Sequence, residues 1–224
     1  MTHVVRSLWG LLLLLAGQMA LANAGETRGE DIAINGSASG IPACSSCHGM
    51  RGEGNAAVGF PRLAGLPVPY LTGQLTALAD GSRRNVMMSP VAKLLSDRQR
   101  QALANYYAAL PGVAKKREDG ERFATGHLLA TAGYPARQLP ACDRCHGQQG
   151  AGVGTQFPAL AGQSEVYLEN QLTAWQNGER PPGPLNLMPG ITSRLTQDQI
   201  KQVAGYYSRL PLPPLSSESQ GVAP

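Results

Sequence analysis

Aromatic residues make up only 5% of this 224-residue chain: three Phe, two Trp and seven Tyr. That is lean for conventional cores of this size, so some other apolar body must share the interior. Charged residues are also sparse, at 15%. No extended basic run and no basic patch interleaved with aromatics occurs, which argues against a nucleic-acid partner. Beyond Ala24 no apolar stretch approaches the roughly 20 residues of a membrane-spanning helix. No segment alternates apolar and polar residues with period 2, so no half-buried strand is expected. Cysteine is limited to four residues and histidine to four.

All four cysteines fall in two clusters, Cys44-Ser45-Ser46-Cys47-His48 and Cys142-Asp143-Arg144-Cys145-His146. Each reads Cys-x-x-Cys-His, the attachment signature of a c-type haem. Side chains three and four apart share a helical face. Both thiols can therefore form thioethers to one porphyrin's vinyl groups while the adjacent His reaches the iron. Zinc bound by four Cys and two His is one competing reading. A thioredoxin-like Cys-x-x-Cys is another, but it comes once, beside a βαβ pattern absent here. Two copies, each followed at once by His, favour two covalently bound haem c groups, with the irons on His48 and His146. No cysteine is left for a disulfide or a thiol nucleophile.

Residues 1–24 have the layout of a secretory signal: Arg6, an apolar run from Leu8 to Ala16, and small residues from Ala20 to Ala24. An uncleaved anchor is the alternative, which Gly17, Gln18 and Asn23 disfavour by interrupting the run. Covalent haem attachment takes place outside the bacterial cytoplasm, so signal and motifs together point to the periplasm, with membrane association as the variant. Removing residues 1–24 takes away Arg6 alone among the charged residues. Lys plus Arg then falls from 19 to 18 against 15 Asp plus Glu, a formal charge of +3.

A repeat organises the remainder. Phe60-Pro61-Arg62-Leu63-Ala64-Gly65 returns as Phe157-Pro158-Ala159-Leu160-Ala161-Gly162, and Tyr70-Leu71-x-x-Gln74-Leu75 as Tyr167-Leu168-x-x-Gln171-Leu172. Gly81-Ser82-Arg83 matches Gly178-Glu179-Arg180, and Tyr106-Tyr107-x-x-Leu110-Pro111 matches Tyr206-Tyr207-x-x-Leu210-Pro211. An offset of 97 to 100 residues is too long for a solenoid unit and marks a tandem duplication. The expected domains are 25–111 and 112–211, followed by a disordered Pro- and Ser-rich tail at 212–224. The expected class is all-α. Ser96 with Gln99 and Thr196 with Gln199 form capping boxes opening the last helix of each half. Middle helices are expected near Val68–Ala79 and Glu165–Asn177, and first helices near Glu26–Asn35 and Glu118–Ala132. Gly, Pro and Asn crowd the stretches after each haem motif and before each late Met, predicting loops there.

The other face of each iron needs a ligand. His127 is the one histidine beyond Ala24 outside the motifs, and the first half has no spare histidine. Met50 lies too close to His48 to reach the opposite face. Met88 and Met188 each stand seven residues before the repeated Leu95 and Leu195, whereas Met87 aligns with Leu187. The pairs are therefore His48/Met88 and His146/Met188. Core filling by these methionines, and a distal His127 in the second half, are the alternatives. Arg83 and Arg180, two residues after a repeated Gly, suit haem propionates. Solvent-exposed arginines after a helix-ending Gly are the equally ordinary reading. Gly29 and Gly126 either allow close contact between first and last helices or merely sit near helix starts.

With these motifs in the same order twice over nearly all of residues 25–211, the chain resembles the dihaem cytochrome c4 family. The resemblance implies two class I cytochrome c domains related by a pseudo-twofold, with haem propionate edges near one another. It also implies that the carbonyls of Pro61 and Pro158 accept the Nδ1–H of the proximal His. The function implied is periplasmic single-electron transfer, from a quinol-oxidising complex or a dehydrogenase towards a terminal oxidase, without catalysis. A cytochrome subunit of a periplasmic dehydrogenase has the same haem chemistry. A dihaem enzyme with one open iron is a further alternative, which the two near-equivalent halves disfavour.

Overall fold

The structure, a computed structural model, describes residues 28–112, 123–183 and 185–212. The expected signal segment at 1–24, the Lys115–Arg117 join and the expected tail from 213 lie outside the described residues. Each half contributes five helices among the described residues. In the first these are α1 (Gly29–Asn35), α2 (Ser45–His48), α3 (Val68–Asp80), α4 (Met88–Leu94) and α5 (Asp97–Ala109). The second repeats them as α6 (Ala124–Thr131), α7 (Asp143–His146), α8 (Glu165–Gln176), α9 (Met188–Thr192) and α10 (Gln197–Ser208). Extended pairing among the described residues is limited to isolated bridges such as Asn55 with Phe60 and Val153 with Phe157.

The last helices start where their polar termini are satisfied. Gln99 N–H donates to Ser96 Oγ (3.3 Å) while Ser96 N–H donates to Gln99 Oε1 (2.9 Å). Thr196 and Gln199 repeat the exchange at 3.2 and 2.9 Å. Ser164 Oγ accepts from Tyr167 N–H at 3.2 Å, capping α8. Each such cap is worth about 1 kcal/mol. On α5, Leu103 and Tyr107 are buried; on α10, Val203, Tyr206 and Tyr207 are, and Leu210 just beyond its end is buried too. These residues lie one helical turn apart and turn a single stripe inward.

First and last helices of each half pack together, α1 on α5 and α6 on α10. The glycines permit this. A Cβ on Gly29 would run into the Ala102 carbonyl, and one on Gly126 into the Gln202 carbonyl. Backbone therefore meets backbone at both crossings. Each half has its own core, one around Ile32, Leu71, Leu103 and Tyr107, the other around Leu129, Ile200, Val203 and Tyr207.

The stretches before the late methionines depart from the loop expectation at their ends, since Met88 and Met188 each open a short helix. In the first half Asn85 Oδ1 accepts from the N–H groups of both Met87 (3.1 Å) and Met88 (2.8 Å), nucleating the turn. In the second, Pro189 occupies the first turn, where its fixed φ suits a helix. Elements of five to seven residues are too short to show a period of 3.6. Gly126→Ala is expected to lower unfolding stability by about 1–3 kcal/mol, because α6 must move off α10. Thr196→Ala should cost about 1 kcal/mol through the lost cap. Thermal denaturation of both variants checks the order, which reverses if the crossing is loose.

Candidate haem sites

Cys44 and Cys142 cap one-turn helices whose first bonds run from His48 N–H to Cys44 O (2.9 Å) and His146 N–H to Cys142 O (3.0 Å). One turn thus carries two cysteines and a histidine on one face. The chain then doubles back. Gly54 N–H reaches His48 O at 2.7 Å and Gly152 N–H reaches His146 O at 2.6 Å, bringing each Phe-Pro segment onto the imidazole. Nδ1 of His48 lies 2.9 Å from the Pro61 carbonyl oxygen, and Nδ1 of His146 lies 2.9 Å from that of Pro158. Burial lowers the pKa of both imidazoles, opposed in part by these carbonyl bonds. In the neutral ring Nδ1–H donates to the carbonyl and Nε2 keeps its lone pair, the state a metal ligand requires.

A cavity of about 540 Å³ opens beside the second of these turns, bordered also by Tyr70, Gly73 and Gln74 of the first half. Cys142, Cys145 and His146 line it together with Met188, and Leu168, Leu172, Ile191 and Leu195 supply apolar wall. Both thiols, an imidazole and a thioether thus converge on one largely apolar space. Such a donor set and lining fit a covalently held haem. Burial pushes the Cys142 thiol up to about 11, with Asp143 adding to the rise. Among the described residues no three or more His, Cys, Asp and Glu side chains are gathered as a metal-binding group.

The methionines sort by exposure. Met87 is 58% exposed and its counterpart Leu187 is 46% exposed, while Met88 and Met188 are partly buried. Met50 is exposed. His127 is exposed on α6 with its ring 5.4 Å from that of Tyr206, and it is not among the residues lining the second-half cavity.

Arg83 and Arg180 are not the solvent-exposed residues of the alternative reading. Arg180 is buried and Arg83 half-buried, and each crosses between the halves. Arg83 donates to Gln74 Oε1 (2.6 Å) in its own half, and to Tyr167 Oη (3.2 Å) and Gln171 Oε1 (2.8 Å) in the other. Arg180 mirrors this with Gln171 (3.1 Å), Tyr70 (3.4 Å) and Gln74 (3.2 Å), and its guanidinium stacks 3.9 Å from the Trp175 ring. Burial raises the Tyr70 phenol; on Tyr167 burial is outweighed by Arg83 and Arg180, and its pKa falls. Trp175 Nε1–H also holds the Pro181 carbonyl at 2.9 Å, anchoring the proline-rich approach to Met188. Tyr70, Tyr167, Gln74 and Gln171 had no role assigned from sequence. Their signal was there, as the Tyr and Gln of the repeated Tyr-Leu-x-x-Gln-Leu stand one turn apart on the middle helix.

Comparison with known proteins places this geometry. The family profile described as cytochrome C oxidase, cbb3-type, subunit III matches residues 133–206. A cytochrome c4 from Pseudomonas aeruginosa is 33% identical over 169 residues, 75% of this chain and 83% of the relative. The chain belongs to the dihaem cytochrome c4 family. A thiosulfate dehydrogenase electron acceptor from Thiomonas intermedia is 46% identical over 179 residues, 79% of this chain and 82% of the relative. Among solved structures, a thiosulfate dehydrogenase (TsdBA) from Marichromatium purpuratum matches with a TM-score of 0.78 and 41% identity. That match covers 84% of this chain and 40% of the solved one. The chain therefore consists of two class I cytochrome c domains that carry two covalently bound haem c groups and transfer electrons.

The exposure pattern generates a test. Met88→Leu should abolish about half of the sulfur–iron charge-transfer band of the ferric protein, and Met87→Leu should leave it whole. The reverse outcome would move the first distal ligand to Met87.

Proposed function

We propose that this cytochrome c4 works in the periplasm, accepting single electrons from a thiosulfate-oxidising dehydrogenase and passing them towards a terminal oxidase. The observation that carries the reading is that His146 and Met188 line the same cavity. Cys142 and Cys145 are the attachment points there, with Cys44, Cys47, His48 and Met88 in the corresponding roles of the first half. A haem held by these residues would supply one-electron iron chemistry, with the imidazole and the thioether available to occupy its iron. No place remains for a substrate, so the chain acts as a carrier and not as an enzyme.

Several residues tune that role. The Pro61 and Pro158 carbonyls orient the imidazoles and raise their basicity as ligands. Arg83 from a half-buried and Arg180 from a buried position each face the other's domain with hydrogen bonds to neutral Gln and Tyr side chains, and they are the residues to hold propionates. Among the described residues no helix is long and apolar enough to cross a membrane. The donor is favoured by two relatives named as electron acceptors of thiosulfate dehydrogenase, 46% and 41% identical.

When the ferric protein is mixed with a thiosulfate dehydrogenase and thiosulfate, stopped-flow absorbance should show two electrons taken up per chain. Without thiosulfate none should be taken up. Fast reduction by a quinol-oxidising complex, with none by the dehydrogenase, would overturn the assignment of the donor.

A further inference from the structure

The two halves depart from symmetry at one buried contact. With the repeat offset of 97 residues, Arg62 aligns with Ala159 and Leu66 with Gln163. On one side of the interface Leu66 and Ala159 are both buried in the first half's apolar core. On the other, Arg62 N–H donates to Gln163 Oε1 (2.8 Å) and Gln163 Nε2 donates back to Arg62 O (3.0 Å). An apolar contact in one copy is thus a reciprocal polar clasp in the other.

The Arg62 side chain completes the clasp. It is 4% exposed. Nη1 donates to the Ala64 carbonyl and Nη2 to the Ala161 carbonyl (3.1 Å), groups at equivalent places in the two repeats. Its Nε has no partner, and among the described residues no carboxylate pairs with it. Burial pushes its pKa down to about 10, which leaves it charged at neutral pH. A buried cation without a counter-ion is costly, and its field is weakly screened. Arg62 also directly follows Pro61, whose carbonyl holds His48.

We propose that Arg62 is a positioning residue that clasps the two domains and biases both haems towards the ferrous state with one shared, buried positive charge. The inference rests on both motifs holding haem, as argued above. Reduction removes one positive charge at an iron, so a fixed cation nearby favours it. Because the guanidinium rests on equivalent carbonyls of both repeats, it moves the two potentials in the same direction. Gln163 holds the Arg62 backbone and contributes no charge.

The test is spectroelectrochemical titration of the holoprotein together with scanning calorimetry. In Arg62→Met both midpoint potentials should fall together, each by about tenfold in the reduction equilibrium constant, which is about 59 mV for a one-electron couple. Arg62→Gln, which keeps a hydrogen-bonding side chain, should give the same shift and carries the test if Arg62→Met does not fold. Gln163→Leu, which removes no charge, should move the potentials less than the Arg62 variants do while splitting unfolding of the two halves into separate transitions. Unmoved potentials in a fully haem-loaded Arg62 variant, or a shift at one haem alone, would overturn the shared charge. A single unchanged transition in Gln163→Leu would overturn the clasp. Fewer than two haems per chain in the unmodified protein, by pyridine haemochrome assay, would instead overturn the reading of the motifs.

Discussion

A proline carbonyl 2.9 Å from Nδ1 of each motif histidine fixes what the rest of each half must do. The bond sets the ring's orientation and directs Nε2 towards the haem space. It also requires the chain to leave the one-turn helix and return within 13 or 12 residues. Left-handed glycines make that return possible; Gly49 and Gly147, with φ of 81° and 76°, end the motif helices. Gly54 and Gly152 then close the loop onto the histidine's own carbonyl. The Phe of each Phe-Pro pair lies about 6 Å from the imidazole and shields it. With the proximal side fixed in this way, α3 packs on α4 and α8 on α9, and in the second half Met188 lines the same cavity as His146.

Duplication lets the same device be used twice, and the interface shows how two copies become one molecule. Most of it obeys the pseudo-twofold: Arg83 reads Tyr167 and Gln171 while Arg180 reads Tyr70 and Gln74. The copies diverge where a charge difference matters. Arg62 replaces an alanine at the interface, and Asp143 stands in the second motif where the first has Ser45. Tyr207 Oη donates to Asp143 Oδ1 at 2.6 Å, whereas the buried hydroxyl of the equivalent Tyr107 faces the Cys44 thiol. Around similar folds the Asp143 contact thus gives the second motif a local charge that the first lacks, whereas Arg62 lies between the two.

Much of this was legible in the sequence because the informative features are local. The capping boxes at Ser96 and Thr196, the inward stripe on the last helices, and the spacing of Cys, Cys and His within one turn all depend on residues a few positions apart. The repeat added a second reading of each position, which is how Met88 was separated from Met87. Interactions joining residues about 100 positions apart were not legible. The burial of Arg62, its clasp with Gln163 and the cross-domain hydrogen bonds of Arg83 and Arg180 exist only once two domains have docked. The short helices at Met88 and Met188 escaped for another reason. Capping and proline geometry make them, and their length is too small for a hydrophobic period.

Carbon monoxide binding to the fully reduced protein tests the central claim most directly, because the gas reports any iron whose distal position is open. Under the proposed ligation by Met88 and Met188, the ferrous protein should stay low-spin and bind carbon monoxide slowly at both haems. Rapid binding of one equivalent per chain would show one open iron, and would contradict a pure electron carrier in favour of a catalytic site.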